Sequence, residues 1–193
     1  MQTITKQINL YSFNELSDEI KQNVINNWRV NDEYYYGNEN EDSLNAFCEL
    51  FNIKVKDYDY GYRKYINVSF NLDNDVLNLR GLKLYKHLIN NYYRDLFKPK
   101  YYYKNIKRRF SKIQVQNVCI MTGYCMDNSI LEPIYDFLKK PYNTDFESLL
   151  NDCLNNWLIA CENDYEYWNS AECIINEIES NDYQFLDNGN IYN

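Results

Sequence analysis

The sequence predicts an α+β fold, a single compact domain in which several amphipathic helices accompany a short antiparallel sheet and a C-terminal β-hairpin. Two patterns support this prediction. In several segments apolar residues recur every three or four positions, as on one face of a helix. Between residues 53 and 72 they alternate instead, as in half-buried strands. The 193 residues are enough for one domain, with residues 1–113 and 114–193 as candidate sub-modules.

The first half of the chain is predicted to contain three helices and three strands. Ser12 and Glu15 have the spacing of a capping box, which satisfies free backbone N–H groups where a helix begins. The predicted strands cover residues 4–11 and two segments between 53 and 72 that join near Gly61. The predicted helices cover residues 18–29, 44–51 and 77–93, the last with Leu82, Tyr85, Ile89 and Tyr92 on its apolar face, and residues 32–41 are predicted to form a polar loop.

The strongest helical signal lies between residues 145 and 162. Its apolar residues step by three and four without a break, which predicts a wide stripe that faces a core. Thr144 and Glu147 have the spacing of a capping box at its start. The stripe consists of Phe146, Leu149, Leu150, Cys153, Leu154, Trp157, Leu158 and Cys161, and the solvent-facing side of Asn151, Asp152, Asn155 and Asn156.

Shorter elements are predicted before and after this helix in the sequence. A strand is predicted over residues 114–121, and a helix over 129–140 with a capping box at Ser129 and Glu132. Pro133 falls in the first turn of that helix, where its missing N–H costs little. Ser170 is expected to cap a last helix, and the Asn188-Gly189 pair suits the turn of a C-terminal hairpin.

Charge is distributed unevenly along the chain. The net charge is -8, yet residues 98–112 contain seven cations and no acid. Residues 141–193 contain eleven acids, from Asp145 to Asp187, and no lysine, arginine or histidine. A surface of one sign steers association with oppositely charged partners and repels like charges. The asymmetry therefore favours a binding function and gives no direct information about catalysis.

Each charged segment has two interpretations. The acidic one either keeps the protein soluble or imitates the phosphates of a nucleic acid within a basic groove. The basic one, which also carries tyrosines, either binds nucleic acid or forms a solvated face or a cradle for the acidic segment. The candidate partner-binding acids are Asp164, Glu166, Glu172, Glu177, Glu179 and Asp182, and the candidate nucleic-acid-binding residues are Lys104, Lys107, Arg108 and Arg109.

Motifs for chemistry are missing from the sequence. The six cysteines include no Cys-x-x-Cys pair and His87 is the sole histidine, so we expect free, buried thiols, no metal site and no catalytic residue. No glycine-rich phosphate or dinucleotide motif occurs, so we expect no cofactor. The start of the chain lacks a signal-peptide pattern, and no apolar run reaches the roughly 18 residues of a membrane span. We therefore expect a cytoplasmic protein without membrane contact.

Three parts of the chain resemble a family of uncharacterised proteins encoded by bacteriophages and other mobile elements, some of them labelled antitoxin-like. The similar segments are Ser12 to Lys21, Thr122 to Pro141, and Phe146 through Tyr167 to Phe185. The chain departs from the family where relatives often have Gln-Gly-Asp between strands, since it has Tyr60-Gly-Tyr-Arg63. The resemblance implies phage origin and interaction with the host cell, and it supplies no catalytic residue.

From charge and resemblance together we expect a non-catalytic inhibitor of a bacterial defence nuclease, such as an anti-CRISPR protein. Its partner would be a host defence protein such as a CRISPR effector, bound through the acidic surface. The alternative is a nucleic-acid-binding regulator or antitoxin-like protein that uses residues 98–112. An enzyme acting on nucleotides or RNA is the third hypothesis.

Overall fold

Helices and one two-stranded antiparallel sheet form the structure, a computed structural model that describes residues 7–31, 34, 36–97 and 119–192. This composition confirms the α+β class. In chain order the elements are a 3-10 turn Phe13–Glu15, α1 Asp18–Asn31, α2 Gly37–Leu50, β1 Ile53–Asp59, β2 Tyr65–Phe70, α3 Asn74–Leu77, α4 Gly81–Leu96, α5 Met126–Lys139, α6 Phe146–Trp168 and α7 Ala171–Ser180.

The chain divides into two compact units. The central unit is Tyr36–Asn163, and the terminal unit combines Met1–Tyr35 with Asp164–Asn193. The division falls within α6. A sub-module boundary between residues 113 and 114 lies outside the described residues.

The core of the central unit is built around the apolar stripe of α6. All eight residues predicted for this stripe are buried, which confirms the prediction. Trp157 lies at its centre, with its ring edge-on to Tyr58 at 5.2 Å and its indole Nε1 donating to the Asn40 carbonyl at 3.0 Å. Asp145, and not the predicted Thr144, caps the helix, because its Oδ1 accepts the Ser148 N–H at 2.8 Å.

A β-bulge keeps the apolar side of the sheet on this core. Ile53 pairs with Phe70 and Val55 with Val68, but the register shifts between Val55 and Asp57. The extra residue brings Tyr58 back to the same face, since a shift of one residue would otherwise turn it outward. The two strands join through a turn in which Asp59 accepts the backbone N–H groups of Gly61, Tyr62 and Arg63.

Helix α4 buries a face that is shifted from the predicted one, although Tyr85 and Tyr92 of the predicted face pack against the core and are half-buried. The predicted face begins at Leu82, which is 71% exposed, whereas Leu84, Leu88 and Leu96 are buried. The predicted residues recur at spacings of three and four and the buried leucines at spacings of four and eight, so the apolar pattern alone does not fix where the buried stripe is centred. Packing against the surrounding core determines which residues of α4 are buried.

Helix α5 begins at Met126, one turn before the predicted start, so Pro133 lies in its interior and Ser129 is not its cap. Pro133 has no N–H to donate to the carbonyl of Ser129, four residues earlier. The Nδ2 of Asn156 on α6 donates to that carbonyl instead. Asn156 was predicted to face solvent. The structure shows that it replaces the hydrogen bond that Pro133 removes.

Two predicted segments of the central unit differ from the structure. Residues 37–41 belong to α2 and not to a polar loop, and buried Asn40 accepts from Trp157. Residues 119–121, the described part of the predicted strand 114–121, do not form a β-strand. The N–H groups of Met121, Thr122 and Gly123 all donate to the buried Asp127 carboxylate.

The terminal unit has a smaller core between α1 and α7. Its members are Phe13, Leu16, Val24, Ile25, Ile174, Ile178 and Phe185. The predicted strand 4–11 is reduced, in its described part, to one antiparallel bridge between Tyr11 and Phe185. The predicted C-terminal hairpin is likewise reduced to a bridge between Phe185 and Ile191. The turn between them contains Gly189 with a φ of 84°.

Candidate functional site

Helix α7 presents acids on one side and apolar residues on the other. Ser170 caps it as predicted, because the Ser170 Oγ accepts the Cys173 N–H at 3.2 Å. Cys173, Ile174 and Ile178 are buried, and the two isoleucines pack in one cluster with Val24 and Ile25 of α1 and with Phe185. Glu172 and Glu179, on the remaining surface, are exposed. The amphipathic pattern therefore leaves the acidic side of α7 open to solvent.

The six candidate acids all belong to the terminal unit. Glu166, Glu172, Glu179 and Asp182 are exposed, whereas Asp164 and Glu177 are half-buried. We refer to these six residues, on the last turns of α6, on α7 and just after it, as the acidic surface. It is a set of carboxylates within one unit, which is the arrangement that attraction of a basic partner requires.

Two of these carboxylates are held by residues from the N-terminal part of the chain. The Tyr34 hydroxyl donates to Asp164 Oδ2. The Asn14 side chain donates to Glu179 Oε1 at 2.8 Å. Sequence reasoning missed both partners, because neither polar residue stands in a pattern that points to a contact about 130 or more positions away. These hydrogen bonds restrain the orientation of the two carboxylates.

Aromatic side chains lie among the acids. Tyr165 and Tyr167, which flank Glu166, are 38% and 57% exposed. The Tyr165 ring lies edge-on to that of Tyr34 at 5.5 Å, and the Tyr167 ring lies edge-on to Trp168 at 5.7 Å. Tyrosine and tryptophan are enriched in protein interfaces, where they supply large contact areas at low conformational cost. Carboxylates interleaved with rigid aromatic residues are suited to binding a protein.

Few cations offset this charge. The described residues of the terminal unit include ten acids and two cations, Lys21 and Arg29. Lys21 lies 4.0 Å from Asp18 on its own helix, and the Arg29 Nε donates to the Asn169 carbonyl at 2.9 Å. Neither contact neutralises an acid of the acidic surface. The field of this unit is therefore strongly negative.

The basic tract 98–112, predicted to bind nucleic acid, lies outside the described residues. This applies to all four candidate residues, Lys104, Lys107, Arg108 and Arg109. Among the described residues, no group of three or more His, Cys, Asp or Glu side chains is arranged to hold a metal ion. None of the described helices combines the length and the apolar composition that crossing a membrane requires.

The cysteines and the histidine have structural surroundings. Four of the six free thiols are buried, but Cys119 is half-buried and Cys125 is exposed, so the expectation of uniformly buried thiols was wrong. Burial raises the pKa of Cys48 to about 12. The His87 ring lies 5.5 Å from that of Phe146, and burial lowers its pKa. Its Nδ1 contacts Asn91, a neutral amide.

Asp127 is a carboxylate that the sequence reasoning did not single out. It is fully buried and accepts three backbone N–H groups and the Thr122 hydroxyl, the last at 2.8 Å. Buried carboxylates require such a set of donors, because desolvation of an unpaired charge is costly. With these donors Asp127 joins the start of α5 to the segment before it, which is a structural function.

No family model, curated protein or solved structure matches this chain.

Proposed function

We propose that the chain is a non-catalytic, phage-encoded inhibitor that binds the basic nucleic-acid groove of a bacterial defence nuclease, in the manner of an anti-CRISPR protein. The observation that carries the proposal is the acidic surface of the terminal unit, with its exposed tyrosines and few neighbouring cations. The phage origin and the nuclease target rest on the sequence resemblance and on charge complementarity.

A negative surface with aromatic residues has a physical advantage in such a groove. Its carboxylates attract the same lysines and arginines that neutralise phosphates in the nucleic-acid complex. Its tyrosines add apolar contact at the centre of the interface, where most binding energy concentrates. Because opposed fields mainly accelerate association, added salt should slow complex formation more than it accelerates dissociation.

The test uses charge reversals at acids without a structural contact. Asp164 and Glu179 are bonded to Tyr34 and Asn14, so their replacement would also disturb the fold. Glu166→Lys with Glu172→Lys is the cleaner variant, because both side chains are exposed. Glu49→Lys with Asp152→Lys makes the same change of net charge at exposed positions of the central unit.

The readouts are binding to a panel of purified CRISPR effector complexes and restriction nucleases, measured by surface plasmon resonance over a salt series, and inhibition of DNA cleavage. We expect the first variant to lose inhibition and slow association, and the second to retain both. Equal loss in both variants, or no inhibition of any nuclease, would contradict the proposal.

The alternative function is tested in parallel by electrophoretic shift at about 50 mM salt. Direct binding of nucleic acid would favour the regulator hypothesis if its salt dependence becomes flatter when Lys107, Arg108 and Arg109 are replaced by alanine.

A further inference from the structure

Two clefts in the terminal unit share Tyr183 as a common wall. The first has a volume of about 390 Å³ and lies between α1 and the C-terminal segment, with Val24, Trp28, Phe185 and Ile191 among its lining residues. The second, of about 240 Å³, lies between residues 12–14 and the end of α7. Glu179 and Asp182 of the acidic surface line this second cleft.

The first cleft is mainly apolar and aromatic. The rings of Trp28 and Tyr183 meet edge-on at 5.3 Å, and Phe185 is fully buried beneath the surface. This lining suits an aromatic or aliphatic side chain.

The second cleft is suited to a cation. The Asn14 side chain holds one oxygen of Glu179 at 2.8 Å, which leaves the other oxygen available. Asp182 is exposed and has a φ of 52°, at the position after α7 where glycine is usually favoured. Its backbone N–H donates to the Glu179 carbonyl at 3.2 Å, which fixes the two acidic residues in one turn.

We propose that the two clefts together bind an extended basic segment of a partner protein, with an apolar or aromatic side chain in the first and a lysine or arginine in the second. This inference rests on the proposed function and defines the partner's binding segment. Charge complementarity selects this occupant, since a phosphate or an acidic peptide would be repelled by the ten acids of the described terminal unit.

The dimensions of the clefts agree with side chains as the bound groups. Pockets for drug-sized ligands usually measure about 300–1,000 Å³, so the first cleft is near the lower limit of that range and the second falls below it. Interfaces commonly place one aromatic or arginine side chain in each such pocket, and these anchors carry much of the binding energy. Cations are also attracted to the faces of tryptophan and tyrosine rings.

The probe is a fluorescein-labelled peptide in which two arginines flank one tryptophan, measured by fluorescence anisotropy with the full chain. One control peptide has serine in place of the tryptophan, and another has glutamine in place of both arginines. We expect both control peptides to bind at least about fivefold more weakly than the probe.

Two protein variants locate the binding. Asp182→Asn removes a charge while keeping the shape and a residue type that tolerates a positive φ. Ile191→Lys places a cation on the wall of the first cleft, at a position that is already 38% exposed. We expect each to weaken probe binding by about fivefold or more. Glu19→Gln, an exposed position of α1 that lines neither cleft, should leave the affinity nearly unchanged.

Several outcomes would overturn the inference. They are equal binding of the serine peptide, an effect of Glu19→Gln as large as that of Asp182→Asn, and displacement of the probe by a nucleoside monophosphate. If the cleft variants have no effect on the probe while Glu166→Lys with Glu172→Lys still abolishes nuclease inhibition, the proposed function stands and the cleft inference falls. If the probe binds as expected and no nuclease is inhibited, the inferred peptide chemistry stands and the nuclease target falls.

Discussion

The central and terminal units differ in the size of their buried apolar clusters and in the residues that they expose. Among the described residues of the central unit, twenty-one buried apolar residues form one cluster around α6. Among those of the terminal unit, the corresponding cluster has seven, and several carboxylates and tyrosines are exposed. Burial of apolar area is the main source of stability. The comparison therefore indicates that the central unit supplies most of the stability, and we propose that the terminal unit supplies the surface for binding.

Helix α6 shows this difference within one element. Over Phe146 to Cys161 it carries the buried stripe, and Trp157 is completely enclosed. Over Asp164 to Trp168 the sequence becomes Asp-Tyr-Glu-Tyr-Trp, and Glu166 and Tyr167 are exposed. The backbone is helical throughout, so only the side chains and their surroundings distinguish the buried part of α6 from its exposed, acidic end.

The largest effect is expected for Trp157→Ala. The substitution removes the central side chain of the core and leaves the Asn40 carbonyl without the indole N–H. Loss of a buried tryptophan usually costs about 3–5 kcal/mol of unfolding free energy. Urea denaturation checks this value, with Ile159→Ala as control, because that side chain of α6 is 53% exposed. Similar losses in the two variants would show that the stripe does not dominate stability.

A smaller effect is expected in the terminal unit for Gly189→Ala. A Cβ at this position would lie 2.9 Å from Ile20 Cγ2 and 3.0 Å from Val24 Cγ2, and the φ of 84° disfavours alanine. We expect a loss of about 1–3 kcal/mol, measured by thermal unfolding. Gly123→Ala is the matched control, because its φ is 101° and nothing lies within 4 Å of the added carbon. A larger loss for the control would contradict close packing of the C-terminal turn on α1.

The smallest effect concerns pH and His87. Burial disfavours its charged form, so its pKa in the folded protein lies below the ordinary value of 6.5. The unfolded chain then binds more protons near this pH, so stability decreases as pH falls through about 6.5 and reaches its lower level below the folded pKa. NMR titration follows this sole histidine directly, and His87→Gln should flatten the stability profile between about pH 7.5 and 5.5. A measured pKa at or above 6.5 would contradict the burial of the ring.

The sequence predicted the elements that depend on local pattern. The stripe of α6 and the Ser170 cap were recognised because helix periodicity and capping act over three or four residues. The acids of the terminal unit were also visible, since charge can be read from residue type. The basic tract 98–112 remains a prediction, because it lies outside the described residues.

Tertiary structure decided the contacts between residues that are distant in the chain. Asn156 looked like a solvent-facing residue until α5 placed the unpaired Ser129 carbonyl, opposite Pro133, beside it. The Trp157 indole reached the Asn40 carbonyl across 117 positions, and Asn14 reached Glu179 across 165 positions. The physical reason is that a buried polar group requires a partner, but any suitable donor or acceptor can satisfy it. Sequence pattern determines where such groups occur, and only the folded chain determines which of them meet.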